Sequence, residues 1–539
     1  MRLNSFLSAA GTALLMCALF AHAGDWLTMT NESATRLSAA ANLVANDVNE
    51  KDYAWGDLDH DGWTDLVIAR KQPFSTSGAR ANVLLMNEQG VLTDRTALYA
   101  AGSDVPGDQG FLTPTNDRDL AVVDVNNDGW LDVVTAVTLS DGQPKHIGHP
   151  RLYINRGFKD GQWLGLRHED ARIPQLASVN GLTTFMGGDL NPRFNSVAVG
   201  DVTGDGYIDL YFTDHDGSGV IAEPAGDDYD MDNRLLVNLG PSQPGFFMDA
   251  SADAFGRSPF DVGGALNSSF GASAAIADLN GDGAADVVKQ SNVQQPIHVA
   301  VSWNDPRTLG SFGPFEVVYN LAPVYVTPAD VNDDGMLDLI MTDDGIDRIL
   351  VNAGNGPDGL ANFTSHALPA TTSGFGGMSL ADDLDGDGLR DILIADVDTE
   401  IPGCNRVSEF LRNATTMEGL SFVQDLPAGG MSNTDITGVH HFAVLDINND
   451  CALDLVIGRC TGTSVWISQP PDGKGCGIVA DLNADGVVDG ADLGLLLLAW
   501  GACPSAPERG PGGGCAADLD GDGIVNGADL GVLLLAWKG

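Results

Sequence analysis

Seven short acidic segments carry the residues of this chain that could do chemistry. Each follows the pattern Asp-x-Asp/Asn-x-Asp-Gly-x-x-Asp-apolar, except that Thr203 stands at position 3 of the third segment and Cys451 at position 6 of the seventh. Side-chain oxygens at positions 1, 3, 5 and 9 of a tight loop can converge on one point, and Gly at position 6 permits the sharp turn. The seven predicted ligand sets are Asp57, Asp59, Asp61 and Asp65; Asp124, Asn126, Asp128 and Asp132; Asp201, Thr203, Asp205 and Asp209; Asp278, Asn280, Asp282 and Asp286; Asp330, Asn332, Asp334 and Asp338; Asp383, Asp385, Asp387 and Asp391; and Asp446, Asn448, Asp450 and Asp454.

Calcium is the cofactor that this pattern predicts. Calcium takes about six to eight oxygen ligands in flexible geometry, whereas magnesium demands octahedral sites that keep several waters. An all-oxygen donor set also disfavours zinc and copper. One such segment alone could be an ordinary turn, because Asp, Asn and Gly favour turns. Seven copies favour the cation, and we expect the loops at Asp201 and Asp446 to bind it most weakly because of Thr203 and Cys451.

The acidic segments recur at intervals between 52 residues (Asp278 to Asp330) and 77 residues (Asp201 to Asp278), a spacing typical of radial or stacked repeats. Each unit contains four apolar runs bounded by Gly, Asn and Asp, and the third run often resembles Arg-Leu-x-x-Asn, as at 151–155 and 234–238 and, with Ile in place of Leu, at 348–352. The predicted fold is therefore all-β, a seven-bladed β-propeller. The last unit lacks a fourth run, and residues 25–30 resemble one. We expect this N-terminal strand to complete the last blade and close the ring, which removes open sheet edges.

The repeats resemble those of the FG-GAP and VCBS family, the calcium-loop propellers typified by integrin α-chain heads. The resemblance covers about residues 25 to 468, and Phe270-Gly271 and Phe375-Gly376 match the Phe-Gly of the family name. The Gly-Ala-Pro half is essentially absent, with Ile394-Ala395-Asp396 at that position in the sixth unit. The resemblance implies a propeller with calcium loops and says little about function.

Charge and the N-terminus limit where the protein works and what it binds. The chain has 27 basic and 74 acidic residues, a formal net charge of −47, which disfavours nucleic acids and anionic membranes as partners. Arg2, an apolar run at 6–20 and the small residues at 21–23 predict a signal peptide over residues 1–23, cleaved after Ala23. We expect a secreted, extracellular or cell-surface protein with no membrane span.

The mature chain keeps six cysteines, whose disulfide pairing the sequence leaves open: Cys404, Cys451, Cys460, Cys476, Cys503 and Cys515.

The C-terminal segment is a separate, duplicated unit. After the propeller at 24–468 and a linker at 469–476, residues 477–539 hold two twelve-position acidic loops, each followed by a Leu-rich helix that ends in Ala-Trp. These copies resemble the all-α type I dockerin, which implies calcium in both loops and a cohesin-like scaffold partner. A generic calcium-folded anchoring module is the open alternative. The predicted ligands are Asp481, Asn483, Asp485, Asp489 and Asp492 in the first loop and Asp518, Asp520, Asp522, Asn526 and Asp529 in the second.

Two insertions lie on the side of the predicted ring opposite the acidic loops, at 141–150 and 214–232. Loops held by a rigid scaffold often carry binding residues. The candidate ligand-binding residues are His146, His149, Asp214, His215, Asp216, Asp228 and Asp230, and His440-His441 would face the same way. The alternative is that these insertions are solvated loops or an extra ion site.

The sequence contains no positive signal for catalysis: no Gly-x-Ser-x-Gly elbow, no His-Glu-x-x-His and no phosphate-binding glycine loop. Our first hypothesis is a non-catalytic adhesion or carbohydrate- or protein-binding module, anchored or assembled through its tail. The second is a polysaccharide-degrading glycosidase or lyase, because dockerin-like tails usually accompany such enzymes. The third is a structural surface or matrix protein. The identity of the ligand is not readable from the sequence.

Overall fold

The computed structural model describes most of the residues between 26 and 469 and parts of the C-terminal segment. The described residues are 26–72, 78–178, 180–185, 187–215, 231–255, 266, 271–292, 297–321, 323–343, 345–369, 376–396, 404–416, 419–469, 482, 488, 490–502, 517, 519, 524–535 and 537. The predicted signal peptide, residues 1–23, lies outside them.

Seven antiparallel sheets, which we call blades 1 to 7, follow one another along the chain. The core strands of blades 1 to 3 are Glu50–Gly56, Asp65–Lys71, Val83–Asn87 and Leu92–Asp94; Asp117–Val123, Asp132–Val137, Arg151–Asn155 and Leu166–His168; and Phe194–Gly200, Asp209–Asp214, Arg234–Asn238 and Phe247–Asp249. Those of blades 4 and 5 are Ala274–Ala277, Asp286–Ser291, His298–Asn304 and Phe312–Tyr319; and Pro323–Ala329, Asp338–Asp343, Arg348–Asn355 and Ala361–Ala367. Those of blades 6 and 7 are Ser379–Asp382, Asp391–Ile394, Glu409–Asn413 and Phe422–Gln424; and Val439–Leu445, Asp454–Arg459, Gly462–Gln469 and Thr28–Asn31.

Apolar side chains between the blades arrange the seven sheets in a ring. In the second strand of blade 1, Leu66 and Ile68 pack against blade 7, and Val67 and Ala69 pack against blade 2. Successive residues of a strand point to opposite faces, so a strand covered on both faces is apolar throughout. Within the described part of the chain, each pair of adjacent blades, including blades 7 and 1, shares one such buried cluster. The seven-bladed propeller arrangement predicted from the repeats is confirmed.

Several short elements decorate the blades. Two-residue strands at Leu37–Ser38 and Gly102–Ser103 add a parallel fifth strand to blades 1 and 2, which the four-strand repeat did not predict. The remaining elements are the hairpins Phe158–Lys159 with Gln162–Trp163 and Thr184–Phe185 with Gly188–Asp189, the helices Ser33–Arg36, Thr96–Tyr99, Lys145–Gly148 and Ser251–Ala254, and the 3₁₀ turns Gly110–Leu112, Asp170–Arg172 and Gly240–Ser242.

Blade 7 takes its outer strand from the N-terminal end of the described chain. Thr28–Asn31 pairs antiparallel with Gly462–Gln469, so that Met29 lies opposite Ser468. The same segment also bonds to the connection that follows blade 6, because Met29 N donates to Ala428 O and Ala428 N donates to Leu27 O, each at 2.8 Å. A disulfide joins Cys404 of blade 6 to Cys460 of blade 7. Cys451 is also disulfide-bonded, to a cysteine other than these two.

The C-terminal segment contains two helices, Gly490–Leu498 and Gly527–Leu535, and a short ladder between Gly501–Ala502 and Ile524–Val525. Its described core is a cluster of Val488, Leu496, Ala517, Val525 and Leu533. Nowhere in the described chain does a helix reach the length and apolar character needed to cross a bilayer.

Candidate calcium loops and ligand-binding segments

All seven acidic segments form the same tight loop between the first and second strands of a blade. In six loops the residue at position 1 accepts backbone N–H groups from positions 5 and 6: Asp57 Oδ1 accepts from Asp61 N at 3.1 Å, and Asp57 Oδ2 accepts from Gly62 N at 3.0 Å. In the third loop Asp201 accepts from positions 4 and 6. Position 5 in turn accepts from position 7, as Asp61 Oδ1 does from Trp63 N at 2.9 Å. Positions 4 and 6 have positive φ in every copy, which is why Gly and Asn recur there.

The loop geometry brings carboxylate oxygens together. One oxygen from each of Asp57, Asp59 and Asp61 lies within 4.8 Å of the others, and the same holds for Asp383, Asp385 and Asp391. Burial and the neighbouring carboxylates of Asp61 and Asp57 raise the pKa of Asp59 to about 6. Crowded carboxyl oxygens with no bound ion repel one another, and a hard dication is the ligand that relieves this repulsion. The donor set therefore fits calcium.

Position 9 differs from the other ligand positions because its carboxylate is buried and doubly bonded to backbone. Asp132 Oδ2 accepts Val125 N at 3.1 Å and Asp132 Oδ1 accepts Asn155 N at 2.8 Å, so this one side chain connects the loop to the third strand. Burial, reinforced by nearby loop carboxylates and opposed by these backbone hydrogen bonds, raises the pKa at every copy. The values are about 8 for Asp65, Asp132 and Asp391, about 7 for Asp209, Asp286 and Asp454, and about 6 for Asp338.

The two atypical loops keep the common backbone. Cys451 has a φ of 61° and donates its N–H to Asp446 Oδ2 at 2.7 Å, as Gly does in the other copies. Cys451 therefore does not prevent the turn, which forms at the cost of a left-handed non-glycine residue. In the third loop Thr203 Oγ1 donates to Asp201 Oδ1 at 3.3 Å. The weaker binding expected of these two loops stays a prediction.

A ladder of asparagines, which the sequence interpretation missed, links six of the seven loops to the next blade. Asn155 Nδ2 donates to Leu58 O, which belongs to position 2 of the loop in blade 1, at 2.8 Å. Its Oδ1 accepts Gly157 N at 3.0 Å and Trp163 Nε1 at 2.9 Å. The equivalent bonds to the preceding blade come from Asn87, Asn238, Asn304, Asn352 and Asn413. The recurring Arg-Leu-x-x-Asn run was the available signal, but its partner in another blade is not visible in sequence.

The first predicted ligand-binding insertion contains a buried histidine. His149 Nδ1 lies 2.8 Å from Asn191 Oδ1, and His149 Nε2 accepts Leu176 N at 3.1 Å, so both ring nitrogens are engaged inside the protein. Burial lowers the pKa of His149 to about 4. This residue therefore positions the insertion and offers no nitrogen to a ligand. His146 lies in the short helix before it, partly exposed, and its carbonyl accepts Arg151 Nη1 at 2.6 Å.

The second insertion is described only at its two ends, residues 214–215 and 231–232. Asp214 and His215 are buried, and Asp214 Oδ1 accepts His215 N at 2.7 Å. Burial lowers the pKa of His215 to about 3. Asp216, Asp228 and Asp230 lie outside the described residues. His441 lines a cavity together with residues from the other blades, and its Nε2 lies 2.6 Å from Asp52 Oδ1.

Of the predicted tail ligands, three lie among the described residues. Asp492 and Asp529 are fully buried at the start of their helices, and Asp529 accepts Leu519 N at 2.6 Å and Asn526 N at 2.7 Å. The others, Asp481, Asn483, Asp485, Asp489, Asp518, Asp520 and Asp522, lie outside the described residues.

Comparison with known proteins supports the repeat assignment. The FG-GAP-like repeat model matches residues 57–135, 124–212 and 330–394, so these segments are FG-GAP-like repeats. No curated protein matches the chain. Among solved structures, a lectin of Agrocybe aegerita, described as recognising non-reducing terminal N-acetylglucosamine, is 14% identical with a TM-score of 0.38 over 79% of this chain and 86% of that one. The Tc holotoxin pore of Photorhabdus luminescens is 15% identical with a TM-score of 0.33 over 78% of this chain, which spans only 16% of that one.

Proposed function

We propose that this protein is a secreted, calcium-stabilised propeller that binds an extracellular glycan or protein without chemical turnover. The observation that carries the proposal is the recurrence of one loop geometry with a buried position-9 carboxylate in all seven blades, together with the close carboxylate oxygens of the loops at Asp57 and Asp383. This pattern is seen in the described residues themselves and does not depend on similarity to other solved structures.

Calcium bound in these loops would act on stability. Positions 1, 3 and 5 would supply side-chain oxygens, and the cation would neutralise carboxylates that otherwise repel one another. An ion that binds only the folded state stabilises it by mass action, by about 2.7 kcal/mol at a hundred times its dissociation constant. Since the position-2 carbonyl of each of the first five loops and of the seventh bonds an asparagine of the next blade, ordering a loop also orders a junction between blades.

The N-terminal strand and the tail complete the proposal. We propose that Thr28–Asn31 closes the ring, supported by its ladder with Gly462–Gln469 and its bonds to Ala428. The tail would anchor or assemble the protein as a calcium-folded, dockerin-like pair. Support comes from its exposed apolar residues, with Leu498 85% exposed and Trp500 48% exposed. A cohesin-like scaffold is the partner that this surface would take.

The test of this function is a glycan and polysaccharide array probed with the full mature chain, in calcium and in excess chelator. We expect binding to one class of glycan that is lost in chelator and restored by added calcium. A variant with Asp57→Asn, Asp59→Asn and Asp61→Asn should need more calcium for the same signal, whereas Asp160→Asn, in an exposed hairpin turn, should behave as wild type. Binding that is indifferent to chelator, or release of cleaved sugar from the bound glycan, would contradict the proposal.

A further inference from the structure

Seven equivalent residues, one on or directly before the first strand of each blade, form a ring of side chains around the propeller axis. These first strands are called the inner strands. Each member of the ring lies five residues before the first Asp of its acidic loop, and six of the seven members line one cavity of about 370 Å³. Because the inner strands share this register relative to their loops, equivalent residues come from all seven blades to the same level. In blade order the members are Asp52, Asp119, Ser196, Ser273, Tyr325, Met378 and His441.

One side of this ring holds two acids and a histidine. His441 Nε2 lies 2.6 Å from Asp52 Oδ1, and Asp119 stands at the same position in the next blade. Asp119 Oδ2 also accepts the backbone N–H of Val197 at 2.8 Å. These residues come from blades 7, 1 and 2, which are neighbours in the ring, so the ionisable groups share one sector of the cavity.

The opposite sector offers hydroxyls and apolar surface. Ser273 and Tyr325 come from blades 4 and 5, and Met378 comes from blade 6. Thr327 and Ser379 add a pair of hydroxyls whose oxygens lie 2.8 Å apart. Burial, together with the charges of Asp119 and Asp52, raises the pKa of Tyr325 well above its usual range, so its phenol keeps its proton. The cavity thus presents donors and acceptors on one wall and aromatic and thioether surface on another.

The acids of this cavity are not arranged to hold a cation. Burial and the nearby Asp52 raise the pKa of Asp119 well above its usual range, which favours its neutral form. Asp52 is already paired with His441. Among the described residues, the acidic groups close enough to share a metal ion lie in the acidic loops and not on the axis. The cavity therefore suits an uncharged ligand.

We propose that this axial cavity binds one uncharged sugar ring through Asp119, the Asp52–His441 pair, the hydroxyl of Tyr325 and the apolar wall of Tyr325 and Met378. A pyranose has hydroxyls that both donate and accept around its edge, and C–H faces that pack on aromatic surface. The volume of about 370 Å³ lies near the lower end of the roughly 300–1,000 Å³ typical of small-molecule sites. The inference rests on the proposed binding function and adds a ligand class and a location to it.

The experiment is saturation-transfer NMR on the full mature chain in millimolar calcium. The probes are the methyl glycosides of glucose, galactose, mannose, N-acetylglucosamine and rhamnose, with methyl galacturonate as a charged comparison. The best neutral probe is then titrated by calorimetry into Asp119→Asn and Tyr325→Phe variants. The matched controls are Asp160→Asn in an exposed hairpin turn and Tyr99→Phe in the short helix of blade 1, both outside the cavity lining.

We expect a neutral glycoside to be saturated and each cavity variant to weaken its binding by about two- to tenfold, the effect of one lost hydrogen bond. The controls should bind as wild type, and all variants should keep the wild-type melting temperature within a few degrees. Unchanged affinity in both cavity variants would overturn the location. Absence of glycoside binding from a protein that still binds calcium would overturn this inference alone, whereas loss of calcium binding as well would overturn the proposed function too.

Discussion

Blades 1 to 6 differ from blade 7 in the hydrogen bond that links each blade to the preceding one. In each of the first six, an asparagine on the third strand donates Nδ2 to the loop of the preceding blade, as Asn155 does to Leu58 O. In blade 7 the equivalent residue is Ser468, whose backbone N–H still donates to Asp454 Oδ1 at 2.8 Å. Within the described chain, no hydrogen-bond partner reaches the buried Oγ of Ser468. The junction between blades 6 and 7 is therefore the one that lacks this link.

Non-local pieces of chain hold that junction instead. The N-terminal segment contributes Trp26, Leu27 and Met29 to the apolar cluster shared by blades 6 and 7. The Cys404–Cys460 disulfide crosses the same junction, and Phe410 and Phe442 meet edge to face with centroids 5.6 Å apart. Within the residues that the structure describes, the repeated link is thus missing between blades 6 and 7, where the N-terminal segment and a disulfide supply contacts that the other junctions do not use.

The largest effect should come from the N-terminal strand. Met29 is fully buried, so Met29→Ala should lower the free energy of unfolding by about 2–5 kcal/mol, through lost burial and the cavity left behind. Met248 is 48% exposed, and Met248→Ala should change that free energy by less than about 0.5 kcal/mol. Chemical denaturation measures both. Equal losses would mean that the strand is not part of the junction.

The disulfide should come next. Removing it with Cys404→Ala and Cys460→Ala should cost about 2–4 kcal/mol, because the unfolded chain regains the freedom of the loop between them. Either single substitution already breaks the bridge, so each should lose about as much as the pair. Denaturation of the three variants without reductant checks this, and additive losses would contradict a direct bond between the two residues.

The smallest change in stability is expected from substitutions at the linking asparagine and at its counterpart in blade 7. Asn155→Ala leaves the buried groups Leu58 O and Trp163 Nε1 unpaired and should cost about 1–3 kcal/mol. Ser468→Ala removes an oxygen that has no described partner, so the expected change lies between none and a small gain in stability. Thermal melting in calcium compares them. A larger loss of stability from Ser468→Ala than from Asn155→Ala would contradict the stabilising role of the asparagine link.

The sequence predicted what repeats and missed what does not. The acidic loops and the strands that flank them were legible because one pattern recurs seven times. The ring of residues from Asp52 to His441 was not, since five residue types occupy its seven positions, although its fixed offset of five residues from the loops was an available signal. His149 was misjudged because its partners, Asn191 and Leu176, lie tens of residues away in sequence. The parallel additions Leu37–Ser38 and Gly102–Ser103 are too short to show any periodicity.

The most direct test of the calcium account is the number of calcium ions bound per chain, measured by equilibrium dialysis of the full mature protein at calcium concentrations up to ~1 mM. The account predicts at least five, one for each propeller loop without an atypical residue, rising toward nine as the loops at Asp201 and Asp446 and the two tail loops fill. The variant with Asp57→Asn, Asp59→Asn and Asp61→Asn should bind one fewer. A folded protein that binds no calcium, or a single ion that this variant retains, would contradict the account.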